Sequence, residues 1–393
     1  MFKIRYFNGN LSSGFIALFS GRIMQFIADS FIGLFLPIFL FQKLGYDARK
    51  VLLFFGLSWL LYAIFLPWGA QILNKIGLRR SIRISVFIDC LFFYFLYLSI
   101  NSSGFLIAAM VARILHMLFY WLPYHTDFAK FTNREDRGKE YSLILAAATV
   151  FGVALPAISG FIIDRSGFSA VFIITIIILL AVFFPFMFLP RTREKFSWTY
   201  GETLRHFFAP RNRNLIFAHM ASGAENIIGT LIWPIFIWTM LKGEYFKVGV
   251  ILAFIAGVTI ILQLLVGNWT DKFNKRKLLK LGTFLYAAGW ILKATIVSAF
   301  QIFFVGVYHN FSAIIMRTPF DSLTYELAAD QGHFVDEFTV IKEMAVQLGR
   351  ILMIIAASIL LVFASVKLTF LLAAAAALSF NLIPEEKLLE IKK

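Results

Sequence analysis

The segment from Leu66 to Arg83, LPWGAQILNKIGLRRSIR, interrupts a chain that is otherwise mostly apolar. Phe, Leu, Ile and Trp dominate the residues before it, and the apolar run resumes after it. A Gly, an Asn, a Lys, a second Gly and paired Arg inside such a run read as a turn between two long apolar helices. Gly and Asn supply the backbone angles of a tight reversal, and the cations resist crossing a bilayer.

The rest of the composition agrees. Of 393 residues, 60% are hydrophobic and 15% charged, with a mean hydropathy of +0.79. Soluble domains carry about 25% charged residues. The repeated apolar stretches are long enough for a hydrocarbon core about 30 Å thick, which takes about 20 residues of helix. A β-barrel would alternate polar and apolar residues, and these runs do not. The fold class expected is therefore an all-α polytopic membrane protein. Its twelve predicted spans cover 12–41, 48–72, 81–100, 104–129, 140–163, 168–190, 213–241, 246–269, 278–298, 301–328, 337–364 and 366–384.

The net charge of +15 would suggest nucleic acid in a soluble protein. Here its distribution explains it without a nucleic-acid partner. Twenty-four Lys and Arg fall on one side of the predicted membrane: both termini, the loops at Lys75–Arg83, Lys130–Lys139 and Lys272–Lys280, and the segment Arg191–Arg213. Seven fall on the other: Lys43, Arg49, Lys50, Arg165, Lys242, Lys247 and Lys367. The cation-rich side is cytoplasmic, so both termini are expected inside. The single cysteine, Cys90, permits no intrachain disulfide. The first span is too long for a signal-peptide core and is expected to remain.

The break at Leu66 is repeated. AQILNKIGLRRSIR from Ala70 aligns with GNWTDKFNKRKLLK from Gly267, placing Asn74 on Asp271, Lys75 on Lys272, Arg79 on Arg276 and Arg80 on Lys277. The same offset sets Pro37 on Pro234, Glu140 on Glu337 and Gly152 on Gly349. The chain thus divides into two six-span halves of like orientation, 1–190 and 213–393, joined by the basic linker 191–212. Parallel halves are a layout of secondary transporters, with the substrate between them near mid-membrane.

The two loops resemble the pattern G-x-x-x-D-[RK]-x-G-x-[RK]-[RK] of the major facilitator superfamily. The first copy has Ala70 for the leading Gly and Asn74 for the Asp; the second has Asn274 for the second Gly. The resemblance extends over the whole chain in span count and symmetry. It implies that the loops act as cytoplasmic latches. Arg79 and Arg80 are expected to reach Asp336 and Glu337 at the start of the eleventh span. Lys275 and Arg276 are expected to reach Asp136 and Glu140 at the fifth, with Lys75, Gly77, Asp271, Lys272 and Lys277 completing the loops. The alternative is that these cations set orientation alone.

Ionisable residues inside spans are the default functional candidates. Arg22, Gln25 and Asp29 share one face of the first span. The offset carries this stripe to His219, Ser222 and Asn226 in the seventh, with Glu225 beside it. Arg113, His116 and Tyr120 share a face of the fourth, matched by Asn310, Ala313 and Arg317 in the tenth, with Asp321 nearby. The resemblance implies that spans 1, 4, 7 and 10 line the central cavity. Asp29 and Glu225 are the proton-coupling candidates, with Arg113 as their modulator in a stretch, MVARILHML, similar to the fourth-span motif of proton-linked members. The alternative for Asp29 is a structural pair with Arg22 or Arg113. Arg22, Gln25, His116, Tyr120, His219, Asn226, Asn310, Arg317 and Asp321 are the substrate-binding candidates. The alternatives are salt-bridged or snorkelling arginines and histidines that only hydrogen-bond. Lys293 and Arg350 read as peripheral charges near helix ends.

GVALPAISG, with Gly152, Pro156, Ser159 and Gly160, partly resembles a fifth-span stretch of exporters and antiporters; small residues at this spacing also serve helix packing. No catalytic, nucleotide-binding or metal-ligand motif is found, so neither enzyme activity nor a cofactor or metal is expected. The expected function is secondary transport by alternating access, as proton-coupled export of small amphipathic molecules by a monomer in a bacterial-type inner membrane. A carrier of an anionic metabolite, a lipid flippase and, last, a membrane scaffold or receptor stand as alternatives. The partners expected are the lipid bilayer, a small solute and protons.

Overall fold

The computed structural model describes residues 12–131, 137–192, 196–270, 274–329 and 335–384, with backbone alone at 129, 130, 137–149, 264–270, 325, 326, 328, 329, 335 and 336. Nine of its helices are long and apolar enough to cross a membrane. One of them lies within Arg137–Met187, which folds back at Gly167 (φ 71°) and supplies spans 5 and 6. Lys275–Ala294 and Val366–Leu378 are more polar or shorter, yet pack against each other, and they complete the twelve spans. The other spans are 1 (Ser13–Lys43), 2 (Ala48–Ile76), 3 (Leu78–Ser99), 4 (Phe105–Phe131), 7 (Arg213–Met240), 8 (Tyr245–Thr270), 10 (Ala299–Ala329) and 11 (Val335–Phe363).

The turn that opened the sequence reading is tighter than expected. Spans 2 and 3 meet at Gly77 alone, whose φ of 85° lies where only glycine is comfortable. In the second copy Asn274 caps span 9, accepting from the Arg276 and Lys277 amides at 2.9 and 3.2 Å. Asn there satisfies two of the orphan N–H groups of a helix start. Ser12 caps span 1 similarly, and its hydroxyl donates to the Phe131 carbonyl, tying that end to span 4.

The repeated prolines also have a structural effect. Pro37 and Pro234 lack the N–H a continuous helix needs, and spans 1 and 7 both change winding just before them. Span 1 tightens, with the Phe35 amide reaching Ile32 O. Span 7 widens into a π turn over Ile228–Ile232, closed by the Trp233 amide on Ile228 O. Gln25 and Asp29 in span 1, and Glu225 in span 7, lie just on the cytoplasmic side of these changes.

The halves meet along two seams. Span 5 lies against span 8, and span 11 against span 2. Backbones approach closely where side chains are absent: a Cβ on Gly160 would stand 2.5 Å from Tyr245 O, and one on Gly249 2.2 Å from Pro156 O. Ser159 donates to the Phe31 carbonyl at the break in span 1. The outer ends are further joined by Tyr245 Oη on Gln42 Oε1 (2.6 Å), by the Phe246 amide on Asp164 (2.8 Å) and by Trp238 against Phe41 and Tyr46. In the linker, helix Tyr200–Phe207 begins with a capping box between Thr199 and Glu202. The Thr199 amide holds the exposed Glu202 carboxyl below its usual range.

Gly349 of span 11 faces Met220 O, where a Cβ would sit 1.9 Å away; its repeat partner Gly152 has open space. Gly349→Ala should therefore lower the melting temperature in detergent, at a cost of about 1–3 kcal/mol, while Gly152→Ala leaves it within a degree or so of the wild type.

Candidate functional site

Two polar clusters lie between the spans, one in each half. In the first, Asp89 of span 3 is fully buried. Gln25 Nε2 donates to its Oδ2 at 2.8 Å, and Arg113 Nη1 stands 3.6 Å from its Oδ1. His116 Nδ1 lies 3.1 Å from the Ser85 carbonyl and 3.6 Å from Asp89. Both neighbours are acceptors, so Nδ1 carries the proton. Asp29 lies beyond this group, with Arg22 Nη1 at 3.9 Å and its side chain 38% exposed. Arg22 spreads over Trp121 and Tyr124, 5.1 and 5.6 Å from the ring centres, and Arg113 over Phe92 at 5.3 Å. A guanidinium over an aromatic face gains about 0.5–2 kcal/mol, which offsets the weak geometry of the Arg22–Asp29 pair.

In the second cluster Glu225 of span 7 is the buried carboxylate. Arg317 Nη2 of span 10 meets its Oε2 at 2.9 Å, and the Tyr286 hydroxyl of span 9 donates to Oε1. A buried carboxylate with a charged and a neutral donor is well matched. Arg317 is 40% exposed on its side chain, so the pair has one buried and one accessible member. His309 stacks on Tyr286 with ring centres 4.5 Å apart and meets Trp290 edge-on at 4.6 Å.

The clusters gather most of the stripes read from sequence, with additions. Asp89 and Tyr286 were missed, although 89 and 286 are themselves one repeat offset apart. Asp89 is an ionisable residue inside a predicted span; attention to spans 1, 4, 7 and 10 alone passed over it. Tyr120 stacks between His116 and Tyr124. His219 is buried edge-on to Phe320. Asn226 takes the Arg350 guanidinium at 3.2 Å. Asp321 is half-buried in the electrostatic reach of Arg317 and Lys342, whereas Asn310 is exposed beside the buried His309.

Two expectations are corrected. Lys293 and Arg350 are not peripheral. Lys293 is 3% exposed, its ammonium 4.0 and 4.3 Å from the centres of the Trp290 and Trp233 rings, with no carboxylate within 4 Å among the described residues. Arg350 crosses the seam to lie over Trp59 at 4.9 Å. Helical rotation, which hydropathy does not report, turns both inward.

The second correction concerns the Arg79 and Arg80 arm of the latch. Arg79 donates to the Leu189 carbonyl, and Arg83 to those of Phe186 and Met187, at the end of span 6. Arg276 donates to Asn381 and Ile383 at the end of span 12. Cations complement carbonyls at helix C-termini, so these residues brace their own halves. Neither Arg79 nor Arg80 pairs with Glu337, which accepts from Ser197 instead. Asp136, Asp271 and Lys272 lie outside the described residues, as do the side chains of Glu140 and Asp336. Span 4 does meet span 11 near the cytoplasmic end, where His125 Nε2 is 3.8 Å from Glu343 Oε1.

The sequence profile of the Major Facilitator Superfamily matches residues 18–335. The chain belongs to this superfamily. An "Uncharacterized protein YqgE" of Bacillus subtilis (strain 168) is 23% identical over 273 residues, covering 66% of this chain and 63% of that protein, just under two thirds of its length. Crystal structures with the same fold include a POT family transporter in complex with 5-aminolevulinic acid, with a TM-score of 0.71, 12% identity, and coverage of 94% of this chain and 95% of that one. Another is a peptide transporter POT in complex with sulfate, with a TM-score of 0.68 and 12% identity over 94% of this chain and 93% of that one. This superfamily member is a multi-pass integral membrane protein with a transporter fold.

Gln25→Leu should destabilise the protein by about 2 kcal/mol, because it strips a donor from the buried Asp89. Lys293→Met removes a buried charge with no carboxylate within 4 Å among the described residues, and it should leave the melting temperature unchanged or raise it. Thermal melts of both variants in one detergent check the pair.

Proposed function

We propose that the protein is a proton-coupled secondary transporter that exports small amphipathic molecules by alternating access. The observation supporting this is the pairing of Glu225 with Arg317, together with its counterpart of Asp89, Gln25 and Arg113. Each half holds a carboxylate away from water. Such a group is stable either as an anion beside a cation or as a neutral acid. A proton and the cationic end of a solute are therefore alternative occupants of one carboxylate, which is the chemical requirement for exchange. Asp29, partly exposed beside Arg22, is the accessible acceptor in the first half, and Glu225 is the acceptor in the second. Arg113, within reach of Asp89 and in the electrostatic range of Asp29, tunes the first pair. Trp121, partly exposed beside the buried His116, Tyr120 and Tyr124, provides an aromatic face for the apolar part of the solute. On the same reading the protein works as a monomer in a bacterial-type inner (plasma) membrane.

A second reading, carriage of an anionic metabolite, draws on the exposure of Arg317. Protonating Glu225 frees that guanidinium for a solute carboxylate or phosphate. The two readings require opposite solute charges.

The test uses a host stripped of its own efflux pumps and a lipophilic cationic dye, with and without a proton uncoupler. Wild-type protein should lower dye accumulation severalfold, and the uncoupler should abolish the effect. Asp29→Asn and Glu225→Gln should each reduce efflux at least tenfold if the carboxylate is the exchange site. Accumulation equal to that with empty vector would sink the exporter reading and turn the search to anions at Arg22 and Arg317.

A further inference from the structure

The segment between the halves crosses from one to the other at the cytoplasmic end. Span 2 offers a stripe of three residues, Trp68, Gln71 and Asn74, spaced for one helical face. The linker runs antiparallel along it. Tyr200 stacks on Trp68 with ring centres 4.7 Å apart, the Trp198 carbonyl lies 3.4 Å from Gln71 Nε2, and Phe196 pairs with Asn74. This last pairing is two-sided. Asn74 Nδ2 donates to Phe196 O at 2.8 Å, and the Phe196 amide donates to Asn74 Oδ1 at 3.0 Å. Ser197, between Phe196 and Trp198, turns the other way, as alternate residues of a non-helical strand do. Its amide and hydroxyl both donate to Glu337 Oε1 of span 11, at 3.0 and 2.5 Å. Glu337 is buried at the cytoplasmic mouth of the span 2–span 11 seam.

We propose that residues 196–198 are a strap that holds the cytoplasmic ends of spans 2 and 11 together, with Asn74 and Glu337 as its two anchors, and that the strap must release for the carrier to open inward. The proposal rests on the alternating-access reading and not on proton coupling. It also accounts for Asn74 standing where the loop pattern has Asp. Asn, unlike an ionised Asp, both donates to Phe196 O and accepts from Phe196 N–H. A carboxylate at this position would set two oxygens against each other on the carbonyl side. Asn74 is thus not a weakened charge latch but the residue fitted to a peptide partner. Glu337, with a hydroxyl and an amide on one oxygen, acts as an acceptor, and its function does not require an arginine.

The test reads distances, and needs no substrate. In a Cys90→Ala background, spin labels at Ile72 (span 2) and Phe217 (span 7) report the cytoplasmic ends, and labels at Leu53 and Phe300 report the outer ends, in lipid nanodiscs. Asn74→Asp and Asn74→Ala should lower the ratio of cytoplasm-closed to cytoplasm-open molecules about three- to tenfold, the value of one or two hydrogen bonds. Glu337→Ala should do the same, Glu337→Gln should change little because it keeps an acceptor, and Ser197→Ala should give a smaller opening. A charge latch predicts the reverse: Asn74→Asp would close the cytoplasmic side further and Glu337→Gln would open it, which overturns the strap. Unchanged distances in every variant would overturn it too. Ser197→Ala changes no residue of either half, only the linker's hydroxyl on Glu337, so it remains informative if an anchor variant misfolds. A shift in distances alongside a failed dye assay would retain the strap and remove the exporter reading.

Discussion

Hydrocarbon offers a charge no solvent, so every ionised group inside this bundle must find its partner in protein. That requirement organises the interior. Asp89 is held by Gln25 and Arg113, and Glu225 by Arg317 and Tyr286. Each partner comes from a different span, so each carboxylate is a junction at which three helices are fixed relative to one another. Removing one member of a buried pair costs about 3–5 kcal/mol, comparable to much of a domain's net stability. On the proposed reading the same clusters are also the switch, since a proton arriving at the carboxylate would weaken the junction.

Aromatic faces do the same for cations whose acidic partner is distant or, among the described residues, absent. Arg22 on Trp121 and Tyr124, Arg350 on Trp59 and Lys293 between two indoles are all cations seated on rings. Part of the large aromatic content therefore serves to house charge, beside its use against lipid.

Much of this was legible in the sequence, because its causes are local. Span number follows from apolar runs and breaks, orientation from the Lys and Arg bias, and the halves from one offset shared by Pro37, Gly152 and the loops. The stripes on spans 1 and 7 identified Gln25, Asp29 and Glu225 because helical periodicity places such residues together. The rest depended on rotation and partner choice, which spacing does not encode. Asp89 belongs to a span not suspected of facing inward. Lys293 was misread from its place near a helix end. Arg79 was expected across the seam, yet a carbonyl past the end of span 6 takes its guanidinium. Nothing in the linker's composition announces that Phe196 and Ser197 address opposite halves.

The winding changes in spans 1 and 7 have a consequence for the symmetry of the carrier. Span 1 tightens before Pro37 and span 7 loosens before Pro234, although both prolines hold the same place in the repeat. A helix turns about 100° per residue, so overwinding one copy and underwinding the other rotates their outer quarters in opposite senses. Identical positions in the two copies then point to different neighbours on the outer side. The two copies already hold their charges at different positions, Asp89 standing where the second copy has Tyr286 and Glu225 where the first has Ala28, and the winding adds a difference on the outer side. Inward and outward opening are for that reason mechanically unlike movements, and a substitution at Pro37 need not resemble its twin at Pro234.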